Sequence, residues 1–247
     1  MARAKNMNLF LMDGTAQGRI KCTLANWTGV AYRIPRTMLK QSNKISLLNQ
    51  SGVYLLFGVA ENTDEPLVYV GQASMRKNGR GILCRLEEHL LQSKKDWWNV
   101  AVVFTTSNNS FGPTEVSYLE NRFYHMAKEA NRFQAENDND PNPGNLTEEK
   151  ESELEEYIDY AKLVIGALGF SVFEALRPHE TASTDYDELQ TMPILYCSRA
   201  SVDARGQLTS EGFVVFKGSK IRSDTTPSCP SSVKRYRKKY KHLIGTD

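Results

Sequence analysis

Three polar residues lie beside apolar stripes on predicted helices, where they could act together in one cleft. Arg85 and His89 are four residues apart, beside rather than inside the apolar stripe of their helix, so both can point the same way. Glu120 lies at the edge of a second stripe, where a carboxylate can stay near the core and still reach solvent. The spacing therefore allows Arg85 and His89 to point together into a cleft.

Two strands and two helices must position these residues. Residues 52–59 and 66–71 are rich in β-branched and aromatic residues and predict neighbouring strands. A helix over residues 82–90, a strand over residues 98–105 and a helix that begins at Pro113 follow. The predicted fold class is α/β (α+β), a small and mostly antiparallel sheet flanked by helices.

The two predicted strands carry a recognisable pair of tripeptides. Gly52-Val53-Tyr54 and Tyr69-Val70-Gly71 resemble the motifs that name the GIY-YIG nuclease family, with valine in place of isoleucine in both. In that family a later helix presents an arginine, often with an aromatic residue or histidine one turn on, and a further helix presents a metal-binding glutamate. Arg85, His89 and Glu120 occupy these places in order. The resemblance implies a metal-dependent DNA endonuclease with its core at residues 47–133.

The resemblance also implies a role for each residue. Tyr54 would be the general base or its relay to the attacking water, Arg85 would bind the scissile phosphate, and Glu120 would hold Mg²⁺, or Mn²⁺, near the leaving oxygen. The residues that would orient water or phosphate, or brace the site, are Tyr69, His89 and Asn131. A free phenol has a pKa of about 10, so a tyrosine base would need the nearby Arg85 and the metal to favour phenolate.

The chain divides into four predicted segments: an N-terminal β-hairpin extension (1–46), the nuclease core (47–133), an acidic loop, helix and linker (134–193), and a small C-terminal α+β domain with a basic tail (194–247). In the last segment, residues 203–206 and 212–219 resemble a small domain of unknown function that recurs beside GIY-YIG cores. The tail carries basic residues that could contact DNA phosphates or form a solvated surface: Lys234, Arg235, Arg237, Lys238 and Lys239.

Composition sets broader limits. The net charge is only +2 over 247 residues, so a nucleic-acid surface requires local segregation of charge. The sequence has no apolar run long enough for a membrane span and no secretory signal at its start, so we expect a cytoplasmic protein without a membrane partner. The widely spaced cysteines predict free thiols rather than a zinc site or disulfides: Cys22, Cys84, Cys197 and Cys229.

Several alternatives stay open at this point. Arg85 could be a helix-surface residue that pairs with Glu88, three positions away, and the two tyrosines could be ordinary strand residues. The same scaffold could bind nucleic acid without cleaving it. It could also cut RNA or single strands, because the core would bind a backbone phosphate and the sequence shows no element that would recognise bases in a DNA groove.

Overall fold

The computed structural model describes residues 3–61, 63–77, 79–91, 95–175, 193–199, 202–209, 212–216, 218–220 and 225–239. The chain forms two compact units, residues 3–176 and residues 177–247 with residues 1–2. Most of the predicted linker at 178–193 lies outside the described residues. None of the described helices is long and apolar enough to cross a membrane.

A seven-stranded sheet organises the first unit. Its strands are β1 (Met7–Leu11), β2 (Ile20–Leu24), β3 (Gly29–Pro35), β4 (Gly52–Val59), β5 (Pro66–Ala73), β6 (Trp98–Thr106) and β7 (Gln134–Ala135). Their order is β1-β2-β3-β6-β4-β5-β7, and only the β5–β7 pair is parallel. The mixed α/β fold with a mostly antiparallel sheet is therefore confirmed. Residues 7–35 supply three of the strands and join the rest through the β3–β6 pair.

Helices cover both faces of the sheet. Because successive side chains of a strand point to opposite faces, Val53 and Leu55 of β4 pack on the side of α2 (Pro113–Ala130) and α3 (Glu148–Ala167). Tyr54 points the other way, into a second core that includes α1 (Ile82–Leu91). Three short 3₁₀ helices connect β3 to β4: Arg36–Met38, Lys40–Lys44 and Ser46–Asn49.

The edge of the sheet is only partly covered along β5. β7 pairs with Leu67 and Val68, in a segment whose sequence predicted only a loop. The Asn137 side chain continues this pairing, since it accepts from Val70 N at 3.1 Å and donates to Val70 O at 2.8 Å. Beyond Val70, no described strand pairs with the outer edge of β5. Side chains from the two faces can therefore meet around this edge.

The second unit contains a three-stranded antiparallel sheet and a helix. The strands β8 (Ile194–Arg199), β9 (Val202–Thr209) and β10 (Gly212–Val215) lie in the order β10-β9-β8. The helix α4 spans Ser231–Lys239. The predicted small α+β domain thus has its own sheet.

Candidate functional site

A buried tyrosine–histidine pair lies at the centre of the site. Tyr54 Oη is 2.7 Å from His89 Nε2, and both residues have 0% of their surface exposed. β4 directs Tyr54 towards α1, and α1 presents His89 from its last turn. An imidazole nitrogen without a proton accepts hydrogen bonds. With the proton of His89 on Nδ1, the Tyr54 hydroxyl donates to Nε2.

Tyr69 of β5 packs against this pair. Its ring centroid lies 6.3 Å from that of Tyr54 and 5.4 Å from that of His89. Gly71 makes this packing possible, because a Cβ at that position would lie 2.4 Å from Tyr54 Oη and 2.8 Å from Tyr69 Cε1. The glycine of the second tripeptide is therefore required by the two tyrosines.

Arg85 is shared between the tyrosines and an acidic partner. Its Nη1 lies 2.9 Å from Glu88 Oε2, while Glu88 Oε1 lies 2.6 Å from Arg76 Nη1. Hydrogen bonds from Arg76 and then Arg85 lower the pKa of Glu88 to about 2. The ion pair that sequence offered as an alternative role for Arg85 is present, and Arg85 also lies close enough to Tyr54 and Tyr69 to influence both phenols.

Burial dominates the protonation of the two tyrosines. It raises the pKa of Tyr54 well above its ordinary value of 10.0, and it raises the pKa of Tyr69 as well. Arg85 opposes both shifts by its charge and by hydrogen bonding. Arg85 lowers both pKa values, as the sequence led us to expect, but desolvation raises them by more. Both phenols are therefore neutral in the free protein.

Glu120 reaches the site from α2, on the other side of the sheet. Gln72 Nε2 donates to Glu120 Oε2 at 2.9 Å and also contacts Ser117 Oγ at 3.0 Å. Burial raises the pKa of Glu120, and Gln72, Arg85 and Lys95 oppose that shift. The charge of Glu120 in turn raises the pKa of Tyr69. The carboxylate thus belongs to the same cluster as the tyrosines.

The donor set fits a metal ion that takes few protein ligands. The hydrogen bonds that Glu120 accepts come from the side chain and the backbone of Gln72. Within the described ranges, no group of three or more His, Cys, Asp and Glu side chains could hold a metal. Mg²⁺ commonly binds through one or two carboxylates and completes its shell with water and phosphate oxygens. The single carboxylate of Glu120 is compatible with that mode.

The structure places Asn131 outside this cluster. Asn131 follows the last residue of α2 in a left-handed conformation with φ 50°, and its N–H donates to Ala127 O at 3.2 Å. It lies eleven residues beyond Glu120, which corresponds to about 16 Å along a helix. The side chain that fastens the chain to β5 near the tyrosines is instead that of Asn137.

Sequence reasoning missed two charged residues close to the cluster. Lys95 Nζ lies 3.2 Å from the centroid of the Tyr69 ring, and the charge of Asp138 raises the pKa of Tyr69. Neither residue lies in a strand or an α-helix, so no periodic pattern indicates which way its side chain points. Gln72 was detectable in principle, since it follows the second tripeptide on the same strand.

The predicted DNA-contacting residues belong to α4 in the second unit. Their side chains are exposed at Lys234, Arg235 and Lys238, and half-buried at Arg237. The Lys239 side chain lies outside the described part of the chain. Lys234 Nζ donates to Pro227 O at 3.3 Å.

Comparison with known proteins supports the C-terminal part of the resemblance. Residues 195–243 match the family model of a domain of unknown function, DUF4357. No GIY-YIG model matches the core. No curated protein and no solved structure matches the chain.

Proposed function

We propose that this chain is a Mg²⁺-dependent endonuclease of the GIY-YIG type that hydrolyses phosphodiester bonds in DNA. The observation that carries the proposal is the convergence, at one open edge of the sheet, of polar side chains from two strands and two helices: Tyr54, Tyr69, Arg85, His89 and Glu120. Such a set of ionisable groups is costly to bury, which favours a catalytic role.

Burial raises the pKa of Tyr54 and keeps its hydroxyl protonated. A proton relay through this hydroxyl is therefore favoured over a mechanism that needs a Tyr54 phenolate before the reaction begins. The attacking water gives its proton to Tyr54 Oη while the Tyr54 hydroxyl proton passes to His89 Nε2, 2.7 Å away. The water oxygen forms its bond to phosphorus as the bond to the leaving oxygen breaks. The relay keeps Tyr54 neutral before and after the step, which suits a phenol whose pKa is raised by burial.

Substrate binding must rearrange the cluster, because Tyr54 has no exposed surface in the free protein. Arg85 is half-buried and bound to Glu88, so an incoming phosphate would compete with this carboxylate for the guanidinium. A guanidinium matches two phosphate oxygens at once. Movement of Arg85 towards the phosphate would expose the tyrosines to the attacking water.

Glu120 would hold the ion through its carboxylate, which Gln72 keeps in place by hydrogen bonding. When bound, Mg²⁺ or Mn²⁺ would stabilise the negative charge that develops on the leaving oxygen. The basic residues of α4 would add contacts to the DNA backbone that do not depend on sequence.

The test is cleavage of supercoiled plasmid, a labelled single strand and a labelled RNA by wild type, Glu120→Gln and Glu129→Gln, each with Mg²⁺ and with EDTA. Glu129 is an exposed glutamate on the same helix and serves as the matched control. We expect wild type and Glu129→Gln to cut DNA only with Mg²⁺, and Glu120→Gln to be slower by about 100-fold or more.

Each other outcome has a defined meaning. If only RNA or only the single strand is cleaved, that nucleic acid is the substrate, and the proposed mechanism is unchanged. Binding by wild type without cleavage of any substrate would favour the non-cleaving binding module. Full activity of Glu120→Gln would contradict the role given to this carboxylate.

A further inference from the structure

Lys95 enters the cluster from a segment that supplies none of its other members. It lies three residues before β6, which begins at Trp98. Its Nζ is 3.2 Å from the centroid of the Tyr69 ring. An ammonium group is attracted to the face of an aromatic ring. The contact holds a positive charge directly over a tyrosine of the proposed site.

Charged groups from three other segments act on Lys95. Burial lowers its pKa to about 8, Asp138 and Glu120 favour the charged form, and Arg85 disfavours it. The lysine therefore lies within electrostatic reach of both the proposed phosphate ligand, Arg85, and the proposed metal ligand, Glu120. Tyr69, from β5, packs against its ammonium group.

Within the described residues, the Lys95 ammonium makes no hydrogen bond and no ion pair. An ammonium carries three donors, and a half-buried one without an acceptor has lost part of its hydration without replacement. Arg85 differs in this respect, because its charge is shared with Glu88. Lys95 is thus the cation of the cluster that has most to gain from an anionic ligand.

We propose that Lys95 is a second phosphate ligand of this site, its ammonium donating to an oxygen of the substrate phosphate alongside Arg85. The inference rests on the proposed function, since it takes the ligand to be a nucleic-acid backbone. The competing explanation is that the contact with Tyr69 only fixes the turn before β6.

The experiment measures DNA binding in EDTA over a range of salt concentrations for wild type, Lys95→Ala, Lys95→Arg and Lys128→Ala. Lys128 is a matched control, because it is an exposed lysine whose Nζ lies 5.7 Å from the Tyr124 ring centroid. Each phosphate contact contributes about 0.9 to the slope of log affinity against log salt. We expect Lys95→Ala to lower that slope by about 1, and Lys95→Arg and Lys128→Ala to keep it.

A structural role would not change the salt slope, even if Lys95→Ala lowered the unfolding temperature. A wild-type slope in Lys95→Ala would therefore overturn this inference, and so would an equal loss of slope in Lys128→Ala. If either of these two results is found while wild type still cleaves DNA with Mg²⁺, the proposed role of Lys95 is refuted and the proposed function stands. If wild type neither binds nor cuts nucleic acid, the proposed function fails and this inference fails with it.

Discussion

The variant Gly71→Ala should distinguish a catalytic role of Tyr54 and Tyr69 from a contribution to the stability of the sheet. In Gly71→Ala, the new Cβ would lie 2.4 Å from Tyr54 Oη, 2.5 Å from Tyr54 Cζ and 2.8 Å from Tyr69 Cε1. Carbon atoms in contact prefer a separation of about 3.5–4.0 Å. Tyr54 must therefore move by about 1 Å, which would disrupt its 2.7 Å hydrogen bond to His89.

Two effects of this displacement can be estimated. Overpacking a core costs about 1–3 kcal/mol of stability, and Tyr54 is fully buried. Misplacing a catalytic group by about 1 Å can cost about 100-fold in rate. We expect Gly71→Ala to stay folded at moderate temperature and to cleave supercoiled plasmid about 100-fold more slowly than wild type.

Gly58→Ala is the matched control. Its Cβ would lie 2.0 Å from Trp97 O, so it too must strain the sheet. Gly58 lies four residues from Tyr54 on β4, about 13 Å along the strand. Thermal unfolding and single-turnover cleavage with Mg²⁺ would be measured for both variants. The reasoning is refuted if folded Gly71→Ala cuts at the wild-type rate, or loses no more activity than Gly58→Ala does.

Three further predictions concern charge, acid stability and thiol reactivity. Glu88→Gln releases Arg85, so DNA affinity in EDTA should rise at low salt; unchanged affinity in an anisotropy titration would count against competition between Glu88 and phosphate. Hydrogen bonds from Arg19 lower the pKa of Asp13 from 3.8 to about 2, so this pair stabilises the fold above about pH 3.8 and loses its effect as pH falls towards 2. The unfolding temperature of wild type should fall more across that window than that of Asp13→Asn, and equal losses would contradict this. Burial raises the pKa of the Cys22 thiol to about 11, so alkylation at pH 8 mapped by mass spectrometry should label it only after denaturation.

Local sequence patterns predicted most elements of the first unit. The strands β4, β5 and β6 and the helices α1, α2 and α3 all follow runs with clear periodicity or capping residues. The pairing of β3 with β6 was not predicted, because such contacts join residues far apart in the chain. β7 was missed because two residues are too few to show an alternating pattern.

The candidate site was predictable where motifs fall on regular elements. Spacing on α1 placed Arg85 and His89 on the side that faces Tyr54. Asn131 was chosen for its position near the helix end, and the structure places it there, at the C-cap of α2. That position is about 16 Å along the helix from Glu120, too far for Asn131 to brace the site. Lys95 lies outside the strands and α-helices, so only the tertiary structure brings it to the cluster.

Removal of a single hydroxyl group tests the central claim most directly. Tyr54→Phe keeps the buried ring and deletes only the oxygen that bonds to His89. Single-turnover cleavage of supercoiled plasmid with Mg²⁺ should show cutting by wild type and a rate about 100-fold lower for Tyr54→Phe, with the variant still folded. Cleavage by Tyr54→Phe at the wild-type rate would contradict the proton relay on which the proposed mechanism depends.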